Sequence, residues 1–167
     1  MFFRMKKEAA PAVPPVIPEP VEPPDDGTPR KKIMVIDDDP VILKTLSFTL
    51  KSNGYKVVTA TDGSQAIGLM RDEEPDMMVV DVCLPIDVAA GGAVSWDGFQ
   101  VAQWIRGMNG AVPTIVISGK DAPEYKKRAA AIGAEAFFAK PINNELLLAS
   151  IATALSNGQA AATVANT

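Results

Sequence analysis

From residue 31 onwards, five short apolar runs alternate with five longer segments of helical periodicity. The predicted strands cover residues 33–36, 55–59, 77–80, 112–117 and 136–139. The predicted helices cover residues 40–52, 62–71, 98–106, 122–132 and 143–155. Strands that are apolar almost throughout are typical of a sheet that helices cover on both faces. The alternation therefore predicts an α/β fold with a doubly wound parallel sheet.

Polar side chains follow four of the five predicted strands. Asp37 and Asp38 come after the first strand, Asp81 after the third, Ser118 after the fourth and Lys140 after the fifth. In doubly wound sheets, the carboxyl ends of the strands form the edge at which ligands bind. Clustered carboxylates repel one another strongly unless a cation neutralises them. The sequence therefore predicts a cation-dependent site at this edge.

The composition excludes several kinds of chemistry. The 167 residues include no histidine and one cysteine, which excludes Ser-His-Asp catalysis, histidine-ligated metals and an intrachain disulfide. A net charge of -4 argues against broad nucleic-acid binding. No apolar run approaches the roughly 20 residues that span a bilayer, and no secretory signal is recognisable. We expect a cytoplasmic protein without membrane insertion.

The two ends of the chain differ from its middle. Eight of the 14 prolines lie between Pro11 and Pro29, so residues 1–30 are predicted to form a disordered tail with polyproline II character. Several Pro-x-x-Pro spacings, such as Pro11 to Pro14, leave a docking motif as the alternative. Residues 156–167 are small and polar and are predicted to form a flexible C-terminal tail.

Residues 31–155 resemble the receiver domain of bacterial two-component response regulators. The resemblance is carried by Asp37-Asp38, the string from Pro75-Asp76 to Asp81, Leu84-Pro85, Asp97-Gly98, Ser118 and Lys140-Pro141. It implies a flavodoxin-like (βα)5 receiver fold whose five-stranded parallel sheet has the order 2-1-3-4-5. Since few residues follow residue 155, the chain resembles a stand-alone receiver of the chemotaxis-regulator kind.

The resemblance also implies the chemistry of the site. Asp81 would accept a phosphoryl group, and Lys140 and Ser118 would contact its oxygens. Mg²⁺ would be held by Asp37, Asp38, Asp81 and the backbone carbonyl of Cys83. The Lys140–Pro141 bond is expected to be cis. Phe137 would act with Ser118 as a conformational switch, although a phenylalanine in an apolar strand is more often a core residue.

As a receiver, the chain would be a signalling module that catalyses only its own phosphorylation and dephosphorylation. The phosphoryl donor would be a sensor histidine kinase or a phosphotransfer protein. An unknown downstream protein would bind the surface of the fourth helix, fifth strand and fifth helix. Residues 86–96 form an insertion relative to the family. This insertion would either have a role, as a gate to the site or a contact for a partner, or be a tolerated surface loop.

Two alternatives use the same residues. A haloacid-dehalogenase-like phosphatase would use the Asp-x-Asp formed by Asp37 and Asp39, but it needs an acidic pair after Lys140, where only Glu145 follows. A degenerate receiver acting as a scaffold is disfavoured by the intact set of polar residues. Asp39 is expected to cap the first helix, and residues 126–128 are expected to form a solvated basic face.

Overall fold

The computed structural model describes residues 29–84, 96–110 and 112–164. The strands are β1 (Lys32–Ile36), β2 (Lys56–Ala60), β3 (Met77–Asp81), β4 (Thr114–Ser118) and β5 (Ala136–Ala139). The helices are α1 (Pro40–Ser52), α2 (Gly63–Glu73), α3 (Gly98–Asn109), α4 (Pro123–Ala131) and α5 (Asn144–Val164). All strands are parallel, in the order β2-β1-β3-β4-β5, which confirms the predicted fold class and strand order.

The sheet separates two apolar layers. Because side chains alternate along a strand, Met34 and Ile36 face α2, α3 and α4, whereas Ile33 and Val35 face α1 and α5. These four side chains are 0% exposed. Helices therefore cover both faces of the central strands, as the apolar sequence of those strands predicts.

The start of the first helix matches its predicted cap, but the end of the fifth helix differs from its prediction. The Asp39 carboxylate accepts a hydrogen bond from the Val41 backbone at 2.8 Å, which confirms its capping role. The predicted end of the fifth helix at Leu155 is wrong, because α5 continues to Val164 and replaces most of the predicted C-terminal tail. The alanines at positions 160–162 favour this extension, since alanine has the highest helix propensity.

Two predictions concern parts of the chain that the structure does not describe. The proline-rich tail lies outside the described residues, apart from its last two positions. The insertion also lies outside them, apart from Trp96. Both remain predictions. None of the helices in the described ranges combines the length and the apolar character needed to cross a bilayer.

Asp76 ties the amino end of β1 to the start of β3. Its carboxylate accepts hydrogen bonds from the Lys32 backbone at 2.8 Å and from Lys31 Nζ at 2.7 Å. Burial alone would raise the pKa of Asp76, but these hydrogen bonds outweigh burial and hold that pKa below its ordinary value. The ionised carboxylate therefore stabilises the folded state.

We expect Asp76→Asn to lower the free energy of unfolding by about 1 kcal/mol at neutral pH. Because the folded-state pKa is depressed, the stabilisation is present above the unfolded-state pKa and is lost as pH falls through the folded-state pKa. Urea unfolding at pH 7 and at about pH 3 would measure the difference, which should shrink in acid. Asp72→Asn, at an exposed position on α2, is the matched control. A difference that persists unchanged in acid would contradict the assignment.

Candidate functional site

Four neighbouring strands bring their carboxyl ends together at one edge of the sheet. Asp37 directly follows β1, Asp81 ends β3, Ser118 ends β4 and Lys140 directly follows β5. In the parallel registers, Asp81 lies beside Ile117 and Ser118 lies beside Ala139. The polar residues predicted to share this edge are therefore adjacent in space.

Lys140 bridges the two buried carboxylates. Its Nζ donates to Asp37 Oδ2 at 2.7 Å and to Asp81 Oδ2 at 2.8 Å. Asp37 is 0% exposed and Asp81 is 3% exposed. Their other oxygens accept backbone hydrogen bonds, from Asp39 to Asp37 at 2.9 Å and from Cys83 to Asp81 at 3.2 Å. The peptide bond after the lysine, Lys140–Pro141, is cis as predicted.

The surroundings raise the pKa values of both Asp37 and Lys140. Burial raises the pKa of Asp37, although its hydrogen bonds with Lys140 and the Asp39 backbone oppose this. Burial would lower the pKa of Lys140, but its hydrogen bonds and charge interactions with Asp37 and Asp81 raise it above the ordinary value. Lys140 is therefore held firmly as a cation between two acids.

The acidic residues at this edge fit the chemistry of Mg²⁺. Asp37, Asp38 and Asp81 can each offer a carboxylate oxygen, and these oxygens lie within 4.8 Å of one another. Asp38 is exposed whereas the other two are buried, so a bound ion could keep water on the open side. Mg²⁺ prefers oxygen ligands and retains several waters. The donor set therefore matches the predicted metal, whose binding stays a prediction.

Cys83 enters the site through its backbone. Its N–H donates to Asp81, and it follows the end of β3 by two positions. Burial raises the pKa of the Cys83 thiol, and the Asp81 charge raises it further. The thiol is therefore poorly suited to nucleophilic attack at neutral pH. The role predicted for its carbonyl remains a prediction.

Ser118 and Phe137 occupy different surroundings. Ser118 is 0% exposed, and its Oγ accepts a hydrogen bond from the Lys120 backbone at 3.0 Å. This contact holds the loop that leads into α4. Phe137 is partly buried and packs against the apolar layer beneath α2, α3 and α4. The structure thus places Ser118 at the end of β4 and Phe137 in a partly buried position against the core, and their joint switching role stays a prediction.

Gly98 is the site residue whose role was not recognised from the sequence. A Cβ atom at this position would lie 1.8 Å from the Asp81 carbonyl oxygen, far inside van der Waals contact. The Gly98 N–H donates to the Val82 carbonyl at 3.0 Å. The start of α3 therefore packs directly against the backbone of the candidate phosphoacceptor. The sequence feature that indicates this role is the Asp97-Gly98 pair, in which the glycine directly follows the N-cap residue of α3.

Arg128 is exposed on α4, as predicted for a solvated face, and it also contacts the start of α3. Its guanidinium pairs with the Asp97 carboxylate and lies 4.2 Å from the centroid of the Phe99 ring. Phe99 in turn stacks with Tyr125 at a centroid distance of 6.1 Å. The solvated face predicted for this position is thus confirmed for Arg128, and its contact with the start of α3 is an additional feature that the sequence did not predict. Lys126 pairs with exposed Asp121, as a solvated face would allow.

This arrangement of strand-end residues agrees with the comparison to known families. The family model described as the response regulator receiver domain matches residues 33–152. The chain belongs to this family. The receiver is 31% identical over 133 residues to the alkaline phosphatase synthesis transcriptional regulatory protein PhoP of Bacillus subtilis, covering 80% of this chain and 52% of that protein.

A second curated relative and two solved structures extend the comparison. The probable transcriptional regulatory protein TcrX of Mycobacterium tuberculosis is 32% identical over 120 residues, covering 72% of this chain and 47% of that protein. The receiver thus spans about half the length of these relatives, and the prediction of a stand-alone receiver stays a prediction. Chemotaxis protein CheY4 of Vibrio cholerae superposes with a TM-score of 0.66 at 27% identity, over 75% of this chain and 99% of that chain. A receiver domain protein of Methanospirillum hungatei shares the fold, with a TM-score of 0.69 at 23% identity over 78% and 98% of the two chains.

Proposed function

We propose that this receiver is switched by phosphorylation of Asp81. The observation that carries the proposal is the contact of the Asp81 carboxylate with Lys140, beside the carboxylates of Asp37 and Asp38. Asp81 offers a nearly buried nucleophile at a strand end. Lys140 offers a cation that can follow negative charge from the carboxylate to a phosphoryl oxygen. The sequence contains no histidine, so a histidyl phosphate donor would belong to another protein.

In the proposed transfer, a carboxylate oxygen of Asp81 forms a bond to phosphorus. The bond from phosphorus to the donor imidazole nitrogen breaks, and its electron pair stays on that nitrogen, so an acyl phosphate forms on Asp81. A Mg²⁺ ion held by Asp37, Asp38, Asp81 and the Cys83 carbonyl would supply charge neutralisation at this edge. Lys140 would shift one hydrogen bond from the carboxylate to the phosphoryl group. The Ser118 hydroxyl would donate to another phosphoryl oxygen, because its proton is not used in the contact with Lys120.

The donor would be a sensor histidine kinase or a phosphotransfer protein, acting in the cytoplasm. The proposed output is a changed surface on α4, β5 and α5, to which a downstream protein binds. Ser118 supports this route, because its hydroxyl holds the loop before α4 and its carbonyl accepts from the Lys140 backbone at 2.7 Å. Redirecting the hydroxyl towards a phosphoryl group would release that loop, and Phe137 would repack with it.

The phosphatase alternative has no support from the structure. Asp39, which would complete its Asp-x-Asp, caps α1 through the Val41 backbone. The family match is to receiver domains, which are signalling modules rather than classical enzymes. The scaffold alternative is tested by the phosphorylation experiment, because a degenerate receiver would not be labelled.

Acetyl phosphate with Mg²⁺ is expected to add one phosphoryl group to the protein, and Asp81→Asn is expected to remove this labelling completely. Asparagine has nearly the same shape but is not a competent nucleophile, so the loss would reflect chemistry rather than packing. Intact-mass spectrometry measures the labelling, and chelation of Mg²⁺ should suppress it in the unaltered chain. Asp72→Asn, which removes an exposed carboxylate on α2, should be labelled normally. Persistent labelling of Asp81→Asn would overturn the assignment.

A further inference from the structure

The outer face of α3 carries a groove that phosphoryl transfer does not use. The groove has a volume of about 590 Å³ and is lined by Trp96, Gln100, Gln103, Trp104, Gly107 and Met108. We call it the α3 groove. The helical positions recur at spacings of three and four, so they form one stripe along the helix. None of the six lining residues is charged.

Aromatic and apolar side chains dominate the exposed part of the α3 groove. Trp96 and Trp104 meet edge to face, with ring centroids 5.6 Å apart and an interplanar angle of 66°. Trp104 remains 39% exposed and Met108 remains 47% exposed. Burying such exposed apolar side chains against a partner is favourable, so this stripe is suited to binding one.

The polar side chains of the α3 groove are amides. Gln100 Oε1 accepts a hydrogen bond from the Asp97 backbone at 2.9 Å, which leaves the Gln100 NH₂ group able to donate outward. Gln103 is exposed and carries a second amide. Ring faces beside neutral donors match a polyproline II helix, which presents proline rings and unpaired backbone carbonyls.

We propose that the α3 groove binds the proline-rich segment of the same chain, residues 11–24. This segment contains the Pro-x-x-Pro spacings that begin at Pro11, Pro15 and Pro20. From Gln100 to Met108 the helix rises about 12 Å, at about 1.5 Å per residue. Four residues of polyproline II span about the same length, at about 3.1 Å per residue. One Pro-x-x-Pro unit therefore matches the length of the helical stripe.

The segment is also within reach of the groove. The chain enters β1 at the amino edge of the sheet, and α3 ends towards this edge because β4 begins shortly afterwards at Thr114. Only β3 separates β1 from β4, so the outer side of α3 lies on the order of 20 Å from the start of β1. Residues 25–31 alone can span roughly 23 Å when extended.

Tethering makes even a weak contact effective. A short linker gives an effective concentration on the order of 1 mM. A contact with a dissociation constant near 100 µM would then be occupied in about nine molecules of ten. The segment of the same chain therefore needs no high intrinsic affinity. The groove lining also contains no carboxylate that would repel the four acidic residues of the tail between Glu19 and Asp26.

Tryptophan fluorescence can test the proposal directly, because both tryptophans of the chain line the α3 groove. In the full chain, we expect replacing Pro14, Pro15, Pro18 and Pro20 by alanine to shift the emission to longer wavelength and to increase quenching by acrylamide. A synthetic peptide of residues 11–24, added to this variant, should reverse both changes with half-saturation on the order of 100 µM.

A substitution within the α3 groove provides a complementary test. Met108→Glu places a charge in the α3 groove without removing a tryptophan, and it should abolish the response to the peptide. Leu146→Glu makes the same kind of change at a 58% exposed position on α5 and should leave the response intact. Unchanged emission and quenching in the proline variant would overturn the proposal. A wild-type signal that depends on protein concentration would assign the groove to a second copy and would overturn docking within one chain.

Discussion

Replacing Gly98 by alanine is expected to destabilise the receiver by about 3 kcal/mol and to slow phosphorylation of Asp81. The added methyl group would lie 1.8 Å from the Asp81 carbonyl oxygen and 2.7 Å from the Asp81 carbonyl carbon. These are backbone atoms at the end of a central strand, so no side chain can rotate away to make room. Either the start of α3 moves outward or the backbone of Asp81 moves.

Both movements disturb the site as well as the fold. The Gly98 N–H donates to the Val82 carbonyl, and the Val82 N–H donates to the Ile117 carbonyl. A displaced helix start would therefore pull on the loop that leaves Asp81 and on its link to β4. We expect a lower phosphorylation rate even in conditions under which the variant stays folded, since small misplacements at a reacting group are costly.

Urea unfolding and the initial rate of labelling by acetyl phosphate measure the two effects of Gly98→Ala. Gly68→Ala is the matched control, because Gly68 lies inside α2 and a Cβ there would meet nothing within 4 Å. Alanine in a helix interior is favoured over glycine by about 0.8–1 kcal/mol, so this control should be stabilised. Equal stability of the two variants would show that the close contact with Asp81 is not a constraint.

The fold was predictable because its signal is repeated. The central strands β1, β3 and β4 carry buried apolar side chains on both faces, and every strand is followed by a helical segment, so the alternation alone predicts parallel strands. The strand order came from the resemblance to receivers. The end of α5 was not predictable in the same way, because a weakly amphipathic run of small residues can either continue a helix or lie beyond its end.

The site was predictable where it depends on strand ends alone. Asp37, Asp81 and Lys140 meet because neighbouring parallel strands end at one edge, and this follows from topology. The contact of Arg128 with Asp97 joins α4 to the N-cap residue of α3, 31 positions away in the sequence. It depends on the rotation of α4 about its own axis, which the weak apolar periodicity of that helix does not determine. The approach of Gly98 to Asp81 likewise depends on how closely α3 packs.

Lys140→Met is expected to destabilise the receiver by about 3–5 kcal/mol at neutral pH in the absence of Mg²⁺. Lys140 is 20% exposed and donates to two carboxylates that are almost completely buried. Methionine keeps much of the volume of the side chain but removes the charge. Asp37 and Asp81 would then face each other in a poorly solvated place without a cation between them.

The dependence on pH and on Mg²⁺ distinguishes this charge effect from a packing defect. Burial already raises the pKa of Asp37, and removing the lysine would raise it further. Because the folded variant then binds more protons than the unfolded chain, its stability should recover as pH falls from neutral towards the unfolded-state pKa. Mg²⁺ should also stabilise Lys140→Met more than the unaltered chain, because the ion would replace the missing positive charge between the carboxylates. Binding to the folded state adds about 2.7 kcal/mol at 100 times the dissociation constant.

Thermal unfolding with and without Mg²⁺, at pH 7 and at about pH 5, would measure both effects on Lys140→Met. Lys120→Met is the matched control, because Lys120 is an exposed lysine in the adjoining loop after β4. This control should show little loss of stability and no special gain from Mg²⁺. If Lys140→Met loses stability that neither acid nor Mg²⁺ restores, the lysine acts through packing, and the charge balance inferred for Asp37 and Asp81 does not hold.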